Sequence, residues 1–273
     1  MGVARDAAPE IDRLVLSVNR GVGPKHGTQL MALARERDLD SLELLPHLGD
    51  FLLFGALTQE LATLRMRYWP PERVFERLDE FEDKRLIESN DAALTATPVM
   101  RQLLEALQAA QADVAVNQWR SHDEEVATAA QLAQLIGLAA SDAHVVAVLH
   151  RALPEPSDGY LLLHHRLVTL RFVRQHDHAQ AWFARDLTAP TMVVMTRLWH
   201  NEDVEAPSEG LNQLVEWGFA TANPPTLTAA GRDVRETIEA ETNQRAQITF
   251  DVLDDHGATT FLAALQSLPG TMK

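Results

Sequence analysis

The feature that most constrains this chain is an internal match. Residues 84–96, KRLIESNDAALTA, lie over residues 217–229, WGFATANPPTLTA, with no gap at an offset of 133. The register holds outward: Leu78 meets Leu211, Phe81 meets Leu214, Leu61 meets Val194, Phe54 meets Leu187, Leu132 meets Leu265 and Leu135 meets Leu268. Twice this offset nearly exhausts the 273 residues, so the chain reads as two copies of one unit joined head to tail.

Each copy carries the same signals. A helix-period segment, Phe51–Leu64 or Thr191–Trp199, precedes a second one, Pro71–Lys84 or Ser208–Trp217. Pro70-Pro71 and Pro207 suit the start of that second helix, where a missing N–H costs nothing. Two short extended pieces follow, joined by a turn at Ser89-Asn90-Asp91 or Asn223-Pro224-Pro225, which is a small two-stranded wing. Thr95 and Thr228 are the expected caps of a long helix, Pro98–Asn117 or Ala230–Arg245, before a last helix, Glu124–Ile136 or Ala258–Leu268. Helix, helix, wing and long helix make the winged variant of helix-turn-helix. The expected fold is therefore mainly α with small β wings, two tandem winged-helix units forming an intramolecular pseudo-dimer. Its expected parts are an N-terminal arm 1–25, a first unit 26–137, a linker helix and turn 138–158, and a second unit 159–273. Gly21-Val22-Gly23 reads as a loop break, and Pro154–Gly159 as the turn into the second half.

The stretches RVFERLDEFEDKRLIES with LTATPVMRQLLEAL, and GLNQLVEWGFAT with LTAAGRDVRETIEA, resemble the recognition helix, wing and following helix of MarR-type regulators. With RQHDHAQAW before the second unit, the tandem arrangement resembles an actinobacterial group of double helix-turn-helix proteins. The resemblance implies dimer-like pairing of the units, effector pockets where pairing helices meet the lobes, and transcription regulation. It also implies a basic residue in each wing to enter the minor groove.

The charges oppose DNA reading. The net charge is -15, and affinity for DNA comes largely from Lys and Arg neutralising phosphates. The first wing, Glu88 to Pro98, has no Lys or Arg, and neither does the whole interval Asn201 to Gly231. In the first recognition helix Arg73, Arg77, Lys84 and Arg85 are the candidate DNA contacts, but six carboxylates from Glu72 to Asp83 outnumber them. Such spacing reads as a self-paired, solvated face.

Chemistry is expected in the segment Asp158–Phe183, which is apolar nearly all round and so reads as buried. His164, Arg171, His178 and Trp182 recur at spacings of 7, 7 and 4, on one narrow stripe with Arg174 beside it. Asp177 is placed to pair with Arg174. At the matching positions the first copy has Met31, Asp38, Ser41, Leu44 and Leu45, so one pocket per chain is expected. Arg171 and Arg174 would hold an organic, aromatic or anionic ligand, with Asp177 and the aromatic walls Trp182, Trp199, Phe172 and Tyr160. His164 and His178 would move a proton if the chain is an enzyme, which the sequence leaves open. The alternative is a satisfied ionic network between the copies. Six of the eleven histidines fall within Ala143–His178, but His176 and His178 diverge by about 200° on a helix and do not chelate, so no metal is expected.

With no cysteine, thiol catalysis and zinc–thiolate sites are excluded. No apolar run of membrane length and no signal sequence is evident, so a cytoplasmic protein without cofactor, monomeric or a weak homodimer, is expected. The preferred reading is a small-molecule-binding protein of specialised metabolism on a MarR-like scaffold with weakened or lost DNA reading, either a cofactor-independent acid/base enzyme or a sequestering protein. The alternatives are a ligand-responsive regulator that binds DNA, and a protein–protein adaptor.

Overall fold

A computed structural model describes residues 2–39, 41–90 and 93–270. It is mostly helical with two small antiparallel sheets, as the patterning implies. The chain begins with α1 (Val3–Arg35), α2 (Leu45–Leu53), β1 (Leu57–Thr58), α3 (Gln59–Arg65) and α4 (Pro71–Asp83). The first wing, β2 (Ile87–Asn90) and β3 (Ala93–Ala96), leads into α5 (Pro98–Trp119) and α6 (Asp123–Ala139). A short α7 (Val145–Arg151) precedes the central α8 (Gly159–Phe183). Then come α9 (Ala189–Trp199), α10 (Glu209–Glu216), the second wing β4 (Ala220–Ala222) and β5 (Pro225–Leu227), α11 (Ala229–Phe250) and α12 (Asp255–Ser267). The order helix, helix, wing, long helix, helix thus occurs twice.

The matched apolar positions Leu61 and Val194, Leu78 and Leu211, Phe81 and Leu214, and Leu94 and Leu227 are all buried. In the first wing Ile87 pairs with Ala96 and Asn90 with Ala93, while Leu57 of β1 pairs with Leu94 on the other side of β3. In the second wing Ala220 pairs with Leu227. The tip of the first wing at Asp91 lies outside the described residues.

Several expected boundaries are corrected. Phe51–Leu64 is not one helix: α2 ends at Leu53, the chain turns through Gly55 to pair as β1, and the Thr58 hydroxyl starts α3 by accepting from Leu61 N. Thr97, not Thr95, caps α5, because Thr95 is still in β3 opposite Glu88. Helix α10 begins at Glu209, two residues beyond Pro207. Gly21-Val22-Gly23 lies inside α1 instead of breaking it. Packing overrides the weak propensity there: Val22 is buried, and a Cβ on Gly21 would come within 2.6 Å of Val114 Cγ1, so the glycine lets α1 and α5 approach closely.

Asp158 caps α8, accepting from the backbone of Tyr160 and Leu161 at 3.0 and 2.8 Å. Helix α8 then runs through the middle of the molecule, packed by α1, α5, α6, α7 and α11. One apolar cluster spans α1 to α8 and the ends of α11 and α12. A smaller one, around Trp182, Met195, Leu211, Leu214 and Ile238, holds the second helix-turn-helix.

Candidate functional site

The second helix of each helix-turn-helix, α4 and α10, presents an acidic face. Helix α4 exposes Glu72, Glu76, Asp79, Glu82 and Asp83. Its cations are engaged: Arg73 forks onto Glu43 at 3.0 and 3.1 Å and lies over the Trp69 ring, and Arg77 reaches Glu80 at 2.5 Å. Lys84 binds Glu80 at 2.7 Å and the carbonyl of Asp38. The bonds from Lys84 and Arg77 hold the Glu80 carboxyl below the usual range. Arg85 is exposed at the helix end. Helix α10 and its wing expose Glu209, Asn212, Glu216 and Trp217 and no cation.

The cations gather instead along α8 and its neighbours. His164 is buried, with Nε2 3.2 Å from Asn19 Oδ1 on α1, and burial pushes it down to about 4. Arg171 donates to Asp12 of α1 at 2.6 Å. Arg174 donates to Glu239 and Asn243 of α11, both at 2.7 Å. The expected Arg174–Asp177 pair does not form. Arg174 finds its acceptors on α11, while buried Asp177 takes His144 Nε2 at 3.2 Å. Tyr68 meets His178 Nδ1 at 2.6 Å. The other nitrogen of His178, Nε2, is buried and 3.6 Å from Glu239 Oε1, beyond hydrogen-bond reach. Burial pushes His178 down to about 4. Burial alone would raise Glu239, but Arg235 and Arg174 outweigh it and hold the carboxyl down.

These groups do not share one cavity. Between Arg171 and Arg174 the cleft toward Ala8, Asp12 and Phe250 leaves only about 10 Å³ for the centre of a water molecule. The aromatic residues are spread along the helix. Trp182 is buried beside Tyr68, and Trp199 sits 6.0 Å from the Arg235 guanidinium. Phe172 packs against Phe51 and His150. Tyr160 hydrogen-bonds Asp123 near the start of α8, about 33 Å of helix rise from Trp182. An open groove of about 560 Å³ lies between α6 and the start of α8, lined by Val126, Ala130, Gln131, Tyr160, Leu162 and Arg166.

Two clusters escaped the sequence reading. Arg65 of α3 is held by His47 Nδ1 at 3.0 Å, by Gln175 Oε1 at 3.4 Å and over the Phe172 ring at 4.6 Å. It has no carboxylate partner among the described residues. Burial, and then the charge of Arg171, push it down to about 9. Burial, Arg65 and Arg171 push His47 down to about 4. The second cluster is Asp50 of α2, His150 of α7 and His165 of α8. His150 reaches Asp50 at 3.5 Å and Thr169 Oγ1 at 2.8 Å, and its ring stacks on His165 with centroids 4.2 Å apart. Histidine crowding was visible in the sequence. Nothing in it pointed to Asp50, a hundred residues away.

A fold of paired helices and small wings, with an ionic helix through its middle, defines a helix-turn-helix protein. A family model described as a helix-turn-helix family matches residues 70–272, and the chain belongs to that family. No curated protein and no solved structure matches it. Among the described residues no helix is long and apolar enough to cross a membrane.

Proposed function

We propose that this chain is a small-molecule-binding protein on a MarR-like scaffold whose DNA reading is weakened or lost. Its two winged units, 26–137 and 159–273, would be tandem copies joined through 138–158 and paired within one chain as a pseudo-dimer, with the arm 1–25 packed across them. One observation carries the reading: the charge distribution is inverted relative to a DNA reader. Carboxylates cover the exposed recognition helices, while Arg65, Arg171 and Arg174 are drawn in around α8. A phosphate backbone needs accessible cations. An organic anion needs a few partly desolvated ones, and guanidinium forks match a carboxylate. Arg65, charged and without a carboxylate partner among the described residues, is the group a ligand would satisfy, with Arg171 released from Asp12 as its second arm. His164 and His178, held neutral until about pH 4, are weak bases, so binding is favoured over turnover.

The test has two arms. In fluorescence anisotropy with the promoter of its own operon, binding should be no tighter than the non-specific range of roughly 10⁻⁴ to 10⁻⁶ M at physiological salt. In calorimetry, 2-naphthoate should bind, and Arg171→Ala and Arg65→Gln should each abolish its heat with the circular dichroism unchanged. Family membership favours a second reading, a ligand-responsive transcription regulator. Tight, sequence-specific, salt-sensitive binding to that promoter would establish it. Phe75 and Trp217, exposed among carboxylates, fit the adaptor reading, which requires both arms to fail.

A further inference from the structure

We propose that Asp50, His150 and His165 form a binding site for one divalent transition-metal ion of the Zn²⁺ class. A carboxylate oxygen and one ring nitrogen from each histidine lie within 4.8 Å of one another. Three separate elements, α2, α7 and α8, converge to bring them together. This set of two imidazoles and one carboxylate suits zinc and its first-row neighbours rather than calcium or magnesium, which prefer oxygen.

A second observation points to a ligand. His165 is 93% buried in the sense that only 7% of its surface is exposed, and its Nε2 is enclosed with no hydrogen-bond partner among the described residues. A buried acceptor or donor left unpaired is costly, so such atoms are rare unless something else satisfies them. The tautomer of His150 leads to the same place. Thr169 Oγ1 lies 3.3 Å from the carbonyl of His165, one turn back in α8. With its proton there, the hydroxyl accepts from His150 Nδ1–H. In that tautomer the lone pair of Nε2 faces the Asp50 carboxylate at 3.5 Å and is available to a cation.

The surroundings fit a metal centre. Gln108 donates to Asp50 Oδ1 at 3.0 Å, and Thr169 fixes His150, so two of the three ligands have the outer partners that orient metal ligands. The Asp50 side chain is 39% exposed, which leaves a path for the ion and open positions for water. Two nitrogens on one tetrahedral zinc are about 3.4 Å apart, given bonds of about 2.1 Å. The donor atoms, which lie within 4.8 Å of one another, must close toward that spacing on binding, which tilts the stacked imidazoles toward one ion.

The site is tested with the metal alone. The purified chain, stripped with a chelator, is titrated with Zn²⁺ in competition with a chromophoric chelator, and with Co²⁺ followed by its visible d–d bands. One ion per chain is expected, with Co²⁺ bands stronger than those of the hexaaquo ion. Asp50→Asn and His165→Gln should each lower Zn²⁺ affinity by more than the roughly 10- to 100-fold expected for the outer variant Gln108→Leu. The His176→Ala variant, which keeps the three ligands, should bind like the parent. Asp50→Asn is the decisive variant, because its half-exposed site tolerates the change and circular dichroism will show the fold retained. No Zn²⁺ bound by the parent, or equal affinity in Asp50→Asn and His165→Gln, overturns the assignment.

Discussion

The contact between the Tyr68 hydroxyl and His178 Nδ1, at 2.6 Å, joins the first helix-turn-helix to the central helix. Removing the hydroxyl leaves the imidazole nitrogen unpaired in a half-buried setting, so Tyr68→Phe should cost about 1–2 kcal/mol in urea unfolding. The histidines also fix the direction of the pH dependence. Burial lowers His164 and His178 to about 4 and His165 to about 3, while in the unfolded chain they return to about 6.5. Below that value the unfolded state takes up protons the folded state refuses. Stability from these groups is complete above about pH 6.5 and falls as pH drops toward 4, by up to about 1.4 kcal/mol per pH unit for each. Asp50, lowered to about 2, adds a loss only below about 3.8. Unfolding midpoints recorded from pH 7.5 to 4.5 should show this fall, and His178→Gln should flatten it. A pH-independent midpoint would refute it. At this scale the sequence was only partly legible. Periodicity put His164, Arg171 and His178 on one helix and identified them as ionic, but it carries no information on which element lies opposite. Asn19, Asp12 and Tyr68 are 145, 159 and 110 residues from their partners, and so only the fold reveals them.

Elements were more legible, because a helix or wing announces itself within a dozen residues. Thr228, Asp158 and Pro71 mark the helix starts that the structure has. The segment Phe51–Leu64 misled because buried leucines at helical spacing continue through β1, where pairing to β3 decides the conformation. The second helix-turn-helix owes its tight form to a close approach that no propensity encodes. A Cβ on Gly210 of α10 would stand 2.3 Å from the carbonyl oxygen of Pro190 in α9, a backbone atom that cannot swing away. Gly210→Ala should therefore push the two helices apart. The expected cost is about 1–3 kcal/mol, the range for overpacking a well-filled site, although alanine is the better helix former. A thermal midpoint equal to or above that of the parent would contradict this account.

At the scale of the molecule, α1 acts as a clamp. It packs on α5, α8, α11 and α12. Its Arg13 donates to the carbonyls of Leu265 and Leu268 at 2.9 Å and of Gly270 at 3.3 Å, closing the end of α12. Trp119 of α5 adds a bond to the carbonyl of Pro269 at 2.9 Å. Terminal helix carbonyls have no partner within their own helix, so the guanidinium supplies what α12 lacks. The two apolar clusters are unequal. The large one includes α12, whereas the second helix-turn-helix has its own small core around Leu211 and Leu214. Units with few buried contacts open locally at lower free energy than the whole. Hydrogen exchange should then separate two variants that are each destabilised. Arg13→Ala removes its three bonds to the carbonyls at the end of α12 and one to Glu10, and should lower global stability by about 2–3 kcal/mol, speeding exchange in the slowest amides of α5, α8 and α12. Gly210→Ala should speed exchange in α9, α10, β4 and β5 and leave those slowest amides nearly unchanged. Uniform acceleration in both variants would mean that the small core opens only with the large one, and that the molecule unfolds as a single cooperative unit.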